Sequence, residues 1–181
     1  MSVEDIADLK PVFAALTCCG THDKAMRRGV YFGVRDCLAA KISAGSVKRC
    51  SWGCQGFGDC VKVCKAGAIS IGENGIPRVD AAFCNGCKAC MKECPQNLIV
   101  AIPRDFKGGV RVFCSNRDAN KTMVANNCKA ACIKCGFCVK NCPEQCIKMV
   151  DGIPVIDNER CTKCGICVNK CSTKAMNLVF Y

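Results

Sequence analysis

The residues of this sequence that could do chemistry are its cysteines, because they recur at fixed short intervals. Three runs share the spacing Cys-x-x-Cys-x-x-Cys-x-x-x-Cys and begin at Cys84, Cys132 and Cys161. Thiolates at this spacing bind cubane 4Fe-4S clusters: three hold one cube and the fourth reaches across to another. One such run therefore predicts a partner run elsewhere in the chain.

A fourth run, CSWGCQGFGDCVKVC, is a stretched form of the same pattern. Its cysteines are Cys50, Cys54, Cys60 and Cys64, so its first two gaps are three and five residues where two are usual. It precedes the regular run at Cys84, and in the second half the run at Cys132 precedes the run at Cys161. The four runs therefore form two pairs, one in each half of the chain.

Within a pair, the fourth cysteine of each run is expected to bind the cluster of the other run, as in bacterial ferredoxins. This rule predicts four 4Fe-4S clusters. The predicted ligands are Cys50, Cys54, Cys60 and Cys94 for cluster one; Cys84, Cys87, Cys90 and Cys64 for cluster two; Cys132, Cys135, Cys138 and Cys171 for cluster three; and Cys161, Cys164, Cys167 and Cys142 for cluster four.

The residue after the fourth cysteine separates the runs into two types. Pro95 and Pro143 stand there in two runs, as the bacterial ferredoxin motif prefers. Lys65 and Ser172 stand there in the other two, which is a small departure from the motif.

Six cysteines lie outside these sets, namely Cys18, Cys19, Cys37, Cys114, Cys128 and Cys146. A free cysteine is among the most buried residue types, so packing is the default expectation for each. Packing is favoured for Cys146, whose repeat mate is Ala68, while Cys18 is a core residue or a reserve ligand.

A further hypothesis is a fifth cluster where the two halves meet, bound by Cys19, Cys37, Cys114 and Cys128. Cys19 and Cys114 each end a strand pattern, and Cys37 and Cys128 each follow the next polar or helical stretch. The alternative is that Cys128 matches Cys50, because each stands four residues before the next cysteine. Iron analysis separates the cases, with about 16 irons per chain for four clusters and about 20 for five.

Cysteine makes up 22 of the 181 residues, which is the level of a disulfide scaffold or a metal protein. Disulfides do not require repeated short intervals, and structural zinc sites pair two Cys-x-x-Cys knuckles without further cysteines at the same spacing. The N-terminal MSVEDIADLK does not resemble a signal peptide, and no apolar run approaches the length of a membrane span. These features predict a reducing, cytoplasmic compartment.

The formal net charge of +11, from 26 basic and 15 acidic residues, would by itself suggest an anionic partner such as nucleic acid. Oxidised cubanes with four thiolates each carry about −2, so four of them leave a net charge of roughly +3. Aromatic and basic residues are not interleaved as single-strand binding requires, so no nucleic-acid partner is expected. Lys48 and Arg49 are expected on a solvated face, and the sole histidine, His22, at the surface.

The elements that must position the cysteines also repeat. AISI and IPRV flank the turn Glu73–Gly75, and QCIKMV and IPVID flank Asp151–Gly152, so each pair of runs encloses a predicted β-hairpin. From Gly75 onward the second unit follows the first at a constant offset of 77 residues, which places Cys84 on Cys161. We interpret the chain as a duplicated module.

A short strand and helix pattern precedes each module. These are PVFAALTCC and DCLAAKIS, with Asp36 as helix cap, and GVRVFC and DANKTMVANN, with Asp118 as cap. The predicted fold is α+β, with two tandem bacterial-type ferredoxin-like modules of two clusters each. The predicted parts are an N-terminal element at 1–49, module one at 50–102, a connecting element at 103–127 and module two at 128–181.

With these motifs placed, the sequence resembles the C-terminal part of the B subunit of the Rnf complex, the membrane-bound ferredoxin:NAD oxidoreductase of anaerobic bacteria. The resemblance is carried by TCCGTHDKA, YFGVRDCLAA, CSWGCQGFGDCVKVC, the GIPRVD hairpin, RVFCSNRDA and the regular four-cysteine runs, and extends from about Val12 to Phe180. The family normally begins with a membrane helix and a separate single-cluster cysteine domain. These 181 residues show neither pattern, as expected of a shortened or excised form or of a soluble relative.

The resemblance implies a subunit that accepts low-potential electrons from soluble ferredoxin and passes them through cubanes to partner subunits, without a catalytic site of its own. It implies a cytoplasmic protein, or one held by partner subunits on the cytoplasmic face of the inner membrane. Two alternatives remain open: an electron-transfer subunit of another anaerobic oxidoreductase, and an iron-sulfur redox sensor. An enzyme is disfavoured by the lack of a Gly-x-Gly-x-x-Gly fingerprint and of a radical-initiating Cys-x-x-x-Cys-x-x-Cys outside the cluster runs.

Overall fold

One order of helices and strands occurs twice in the computed structural model, which describes residues 11–180. The first half contains β1 (Val12–Leu16), α1 (Cys37–Ala44), α2 (Asp59–Lys62), β2 (Ile69–Ile71), β3 (Pro77–Val79), α3 (Ala89–Glu93) and β4 (Ile99–Pro103). The second half contains β5 (Gly109–Val112), α4 (Lys121–Asn127), α5 (Phe137–Lys140), β6 (Ile147–Val150), β7 (Ile153–Ile156), α6 (Ile166–Lys170) and β8 (Met176–Val179). The fold mixes helices and strands. The N-terminal decapeptide that was compared with signal peptides lies outside the described residues.

The predicted hairpins are confirmed. β2 pairs with β3, and β6 pairs with β7, in two-stranded antiparallel sheets. The second hairpin turns through Asp151 and Gly152, whose φ angles of 47° and 76° are those that a two-residue type I′ turn requires. The first hairpin has a longer turn, closed by a hydrogen bond of 3.1 Å from the Gly72 N–H to the Ile76 carbonyl.

The strand that precedes each hairpin unit completes a second sheet at the far end of that unit. β1 pairs antiparallel with β4, with Leu16 opposite Ile99, and β5 pairs antiparallel with β8, with Val112 opposite Met176. The first pairing joins the predicted N-terminal element to the end of residues 50–102. Each strand is therefore part of the framework of the unit that follows it, a pairing that local sequence patterns do not reveal because the partners are distant in the chain.

Each half has its own small apolar core under its sheets. The first core includes Phe13, Ala15, Ile69 and Ile99, and the second includes Val110, Cys146, Ile147 and Met176. A third buried cluster joins the halves and consists of Ala25, Val124, Cys128, Ala130 and Ala131. These cores are too small to stabilise units of this size alone, so the cysteine-bound groups are expected to supply much of the folding energy.

The two longer helices begin at capping side chains. Asp36 caps α1 as predicted, because its carboxylate accepts the Ala39 N–H at 2.8 Å. The predicted cap of α4 was wrong: Asn120 accepts the Met123 N–H at 3.0 Å, and Asp118 lies outside the helix. Asp118 instead accepts the Trp52 indole N–H at 2.9 Å, a contact between the halves that the local sequence does not show.

Within residues 11–180 no helix has the length and apolar character needed to cross a membrane.

Removal of iron is expected to unfold the chain, because the apolar cores are small and ligand-to-metal bonds tie together segments distant in sequence. Anaerobic chelation should abolish most of the far-ultraviolet circular dichroism signal. Retention of the full signal in a sample shown by analysis to be free of iron would contradict this prediction.

Candidate iron-sulfur centres

The three regular cysteine runs fold into one type of loop. In each, the residue before the second cysteine and the residue after it have positive φ; the pairs are Gly86 and Lys88, Lys134 and Gly136, and Lys163 and Gly165. The second residue of each pair is the N-cap of a helix of four or five residues. Left-handed residues placed in this way turn backbone N–H groups and cysteine side chains toward one anionic group.

The stretched run has the same backbone, with one side chain changed. Gly56 and Gly58 have φ angles of 83° and 82°, and helix α2 follows them. Between them stands Phe57, at the position of the second cysteine in the regular loops. Cys54 and Cys60 therefore take the first and third positions of a regular loop, and the apparent stretching comes from this replacement.

Helix α1 supplies the side chain that the replacement removes. Cys37, its first residue, lines a cavity together with Cys54, Cys60 and Cys94. The Cys37 N–H donates to the buried carboxylate of Asp59 at 2.6 Å, which fixes the start of the helix against the loop. A ligand from a separate helix cannot be found by counting along one run.

The spacing placed Cys50 in this first set, and the structure corrects that placement. Cys50 lies before the loop and lines a different cavity. One sequence signal was available, because Phe57 stands three residues from both Cys54 and Cys60, where a regular run has its second cysteine.

The segment that leads into Cys37 closes over Phe57. The rings of Tyr31 and Phe57 have centroids 5.6 Å apart, and the Arg35 guanidinium lies 5.8 Å from the centroid of the Phe57 ring. These contacts connect YFGVRDC to CQGFGDC. The aromatic side chain therefore helps to position the cysteine that takes its place.

The second half encloses two cavities. One is lined by Cys132, Cys135, Cys138 and Cys171. The other is lined by Cys142, Cys161, Cys164 and Cys167, with Cys146 beside them. In both, three cysteines come from one run and the fourth comes from the partner run.

The remaining ferredoxin-type group lies at the first regular loop. Burial, followed by the charges of Cys84, Cys87 and Cys64, raises the pKa of Cys90, so these four thiols are neighbours. The Ala14 N–H donates to the Cys84 sulfur at 3.4 Å. Hydrogen bonds of this kind stabilise negative charge on cluster ligands and help to set the reduction potential.

The turn after the fourth cysteine is the same in all four runs. The third residue after that cysteine has a φ of 48° to 62° and donates its N–H to the cysteine carbonyl at 3.0 to 3.3 Å; these residues are Gly67, Asn97, Gln145 and Lys174. Lys65 and Ser172, which stand where the motif prefers proline, therefore leave the turn unchanged.

Cys146 lies in the core of the second half, and only 4 % of its surface is exposed. Its carbonyl accepts the Asp157 N–H at 2.8 Å, just as the Ala68 carbonyl accepts the Asp80 N–H at 2.8 Å. Cys146 and Ala68 therefore occupy equivalent positions, and the interpretation of Cys146 as a packing residue agrees with this burial.

A further cavity lies between the halves. Five cysteines line it, namely Cys18, Cys19, Cys50, Cys114 and Cys128. The predicted fifth set is not brought together, because Cys37 lies at the first cavity and Cys50 lines this one.

Lys48 also lines this cavity and is only 3 % exposed, so its assignment to a solvated face was wrong, whereas Arg49 and His22 are exposed as expected.

Groups of cysteines line these cavities, and their side chains are too far apart to bind a single metal ion. Within residues 11–180 no three side chains of His, Cys, Asp or Glu come together closely enough to hold a single metal ion. Burial is the main cause that raises the pKa of Cys54 and Cys60 to about 12 and of Cys138 to about 11. Metal binding must therefore displace the protons of these thiols before they act as ligands. All-thiolate cavities with convergent backbone N–H groups fit a 4Fe-4S cluster.

Comparison with known proteins agrees with this chemistry. Residues 131–175 match the model of a 4Fe-4S dicluster domain, and residues 77–100 match that of a 4Fe-4S binding domain. The B subunit of the Na⁺-translocating ferredoxin:NAD⁺ oxidoreductase complex of Acetobacterium woodii is 39 % identical over 175 residues, which cover 81 % of this chain and 52 % of that protein.

Two further relatives carry similar names. The B subunit of the ion-translocating oxidoreductase complex of Methanosarcina acetivorans is 36 % identical over 97 % of this chain and 65 % of its own length. The B subunit of the proton-translocating ferredoxin:NAD⁺ oxidoreductase complex of Clostridium ljungdahlii is 36 % identical over 82 % of this chain and 51 % of its own length. The chain thus spans about half to two thirds of these relatives. The predicted resemblance is confirmed: over the aligned region this chain is similar to the B subunits of these ion-translocating oxidoreductase complexes.

Proposed function

We propose that this chain is the iron-sulfur relay of an Rnf-like complex, which accepts low-potential electrons from soluble ferredoxin and delivers them to partner subunits. The observation that carries the proposal is the cysteine loop, which occurs four times with one backbone geometry. A bound 4Fe-4S cluster supplies one-electron redox chemistry and needs no further catalytic group. The chain's own residues hold the clusters, shield them and set their charge environment.

The proposed ligands form four sets in two tandem two-cluster modules. Set one is Cys37, Cys54, Cys60 and Cys94; set two is Cys64, Cys84, Cys87 and Cys90; set three is Cys132, Cys135, Cys138 and Cys171; set four is Cys142, Cys161, Cys164 and Cys167. Only set one departs from the spacing rule. It takes its second ligand from α1 in place of the loop.

The sets differ in their access to solvent. The second cysteine of each regular loop is exposed, and these residues are Cys87, Cys135 and Cys164. In set one the corresponding ligand is Cys37, which is buried, and Phe57 covers the loop. Sets two, three and four therefore offer edges at which a redox partner can approach, while set one is internal to the relay.

Neighbouring sets within the first half are close enough to interact electrostatically. Burial raises the pKa of Cys60 to about 12, and the charges of Cys37, Cys94 and Cys90 add to this effect. Cys90 belongs to set two, so a charge on one set is felt at the other. Closely spaced sites of this kind suit electron transfer in series.

The names of the relatives support the proposal that this chain has partner subunits and lies at a membrane. The similar proteins are named as subunits of ion-translocating complexes, and ferredoxin appears in two of those names. We infer that this chain is held on the cytoplasmic face of a membrane by partner subunits, and that a soluble ferredoxin is its electron donor.

Replacement of Cys37 by serine is expected to remove or impair one ferredoxin-type cluster, with a loss of up to about four irons per chain. Iron analysis and electron paramagnetic resonance of the dithionite-reduced chain would measure this. The matched control is Cys146→Ala, which should keep its iron because Ala68 already occupies the equivalent core position. Full iron and an unaltered spectrum in Cys37→Ser would contradict set one.

The double variant Cys37→Ser with Phe57→Cys tests the same set by rescue. A cysteine at 57 restores the regular loop spacing, so the iron lost in Cys37→Ser should return. Phe57→Ser in the same Cys37→Ser background serves as the control and should not restore iron. Equal iron contents in the two double variants would argue against the proposal that Cys37 takes the place of the cysteine that is missing at position 57.

The relay function predicts several one-electron reductions at low potential, on the order of −400 mV, in a redox titration followed by electron paramagnetic resonance. Reduced ferredoxin should be reoxidised rapidly when it is mixed with the oxidised chain. A single high-potential cluster, or failure to oxidise ferredoxin by a chain with its full iron, would refute the proposed function.

A further inference from the structure

The cavity between the halves is lined by cysteines that no ferredoxin loop uses. Cys18 and Cys50 come from the first half, and Cys114 and Cys128 from the second. The segments around them are joined by hydrogen bonds between the halves. The Met26 N–H donates to the Asn127 carbonyl at 2.9 Å, and the hydroxyls of Thr17 and Ser115 are 3.0 Å apart.

The internal repeat relates these cysteines in pairs. Cys50 and Cys128 each stand four residues before the first cysteine of a loop, Cys54 and Cys132 respectively. The carbonyl of each accepts the N–H of the third residue on, Gly53 for Cys50 at 3.3 Å and Ala131 for Cys128 at 3.1 Å, so the two cysteines enter their loops in equivalent ways. The repeat therefore places one cysteine of each half at equivalent positions beside the cavity.

Strand register identifies the second pair as Cys18 and Cys114. Leu16 and Val112 are equivalent, because each is the last paired residue of its strand, and two residues later the chain reaches Cys18 in one half and Cys114 in the other. The N–H of the residue two positions on, Gly20, donates to the Cys18 sulfur at 3.4 Å. At Cys114, burial raises the pKa to about 11, and the backbone N–H of Asn116, also two positions on, opposes this rise.

Cys19, which the sequence had matched with Cys114, has a different role. Its thiol donates to the Phe113 carbonyl at 2.9 Å and also points to the Ala130 carbonyl at 3.4 Å. By strand register its counterpart is Ser115, which cannot act as a thiolate ligand. The Cys19 thiol thus satisfies carbonyl groups at the contact between the halves.

The sulfurs of two cysteines from different halves lie close to Gly20. A Cβ placed on Gly20 would lie 3.5 Å from the Cys18 sulfur and 3.6 Å from the Cys128 sulfur. The side-chain N–H of Asn116, in the second half, donates to the Cys50 sulfur of the first half at 3.3 Å. The junction therefore brings sulfurs of both halves to one place.

Lys48 places a buried positive charge against the same cavity. Its ammonium group donates to the Gly20 carbonyl at 2.6 Å, and its side chain is almost fully enclosed. Among the described residues, the ion pairs do not include Lys48. A buried ammonium without a carboxylate is costly unless another anion is near, and four thiolates around an iron-sulfur cube carry such a charge.

We propose that Cys18, Cys50, Cys114 and Cys128 bind a fifth 4Fe-4S cluster at the junction of the halves, with Lys48 as its counter-charge. This inference rests on the proposed relay of four ferredoxin-type clusters and adds the site between them. Each thiol releases one proton as its bond to iron forms, and the loaded site then takes up and returns one electron at a time.

The junction site lies between the first and third sets. Cys50 stands four residues before Cys54, a member of set one, and Cys128 stands four residues before Cys132, a member of set three. A cluster at this junction connects the two modules into one continuous series.

Iron analysis after anaerobic reconstitution tests the site directly. The parent chain and Cys19→Ser should bind about 20 irons, and Cys18→Ser should bind about 16. About 16 irons in the parent would overturn the fifth cluster and leave the four-cluster relay standing, whereas clearly fewer than 16 would refute the relay itself. Loss of iron in Cys19→Ser with retention in Cys18→Ser would overturn the assignment of Cys18.

A second variant tests the site without removing a ligand, in case the cysteine variants fail to fold. Lys48→Met should keep about 20 irons and shift the midpoint potential of one cluster to lower values, because a positive charge that favours the reduced state is lost. Lys48→Arg should keep the potential near that of the parent chain. Lys121→Met, at an exposed lysine that begins α4, is the control and should leave every potential unchanged. Unchanged potentials in Lys48→Met would refute the role of Lys48.

Discussion

The constraint on which the rest of the structure depends is that four cysteines, drawn from separate segments, must line one cavity. A short loop with two left-handed residues can direct three cysteines and several N–H groups inward, but the fourth cysteine must come from another run. This crossing ties the two ends of each half together. The sheets β1–β4 and β5–β8 close the same ends, so strand pairing and proposed ligation restrain the same segments.

The first half shows how this constraint tolerates change. Phe57 stands where the regular loops have their second cysteine, and Cys37 on α1 lines the cavity beside this loop. The exchange requires a helix cap at Asp36, the contact of Cys37 with Asp59, and the packing of Tyr31 on the aromatic ring. Its physical consequence is burial, because an exposed cysteine is replaced by an enclosed one, which suits an internal step of a relay better than a point where electrons arrive.

The basic residues of this protein differ in burial: most lie on the surface, whereas Lys48 is buried beside cysteines. The net charge of +11 is counted without thiolates, and most basic residues lie on the surface. Lys48 differs, because it is buried at the junction and donates to the Gly20 carbonyl beside several cysteines. A fixed positive charge in a low-dielectric site favours the more negative, reduced state of its neighbour and so acts on redox potential more strongly than any surface lysine.

The sequence alone determined the chemistry, the duplication and both hairpins, because ligand spacing, offset repeats and turn residues such as Asp151–Gly152 are local signals. Only the tertiary structure decided which cysteines share a cavity when they come from different elements. Cys37 joins the first set from a helix, Cys50 leaves it for the junction, and Cys18 replaces Cys19 as the partner of Cys114. The reason is physical: the partners of a cavity are set by strand register and by packing between segments distant in the chain, and spacing along one run carries no information on either.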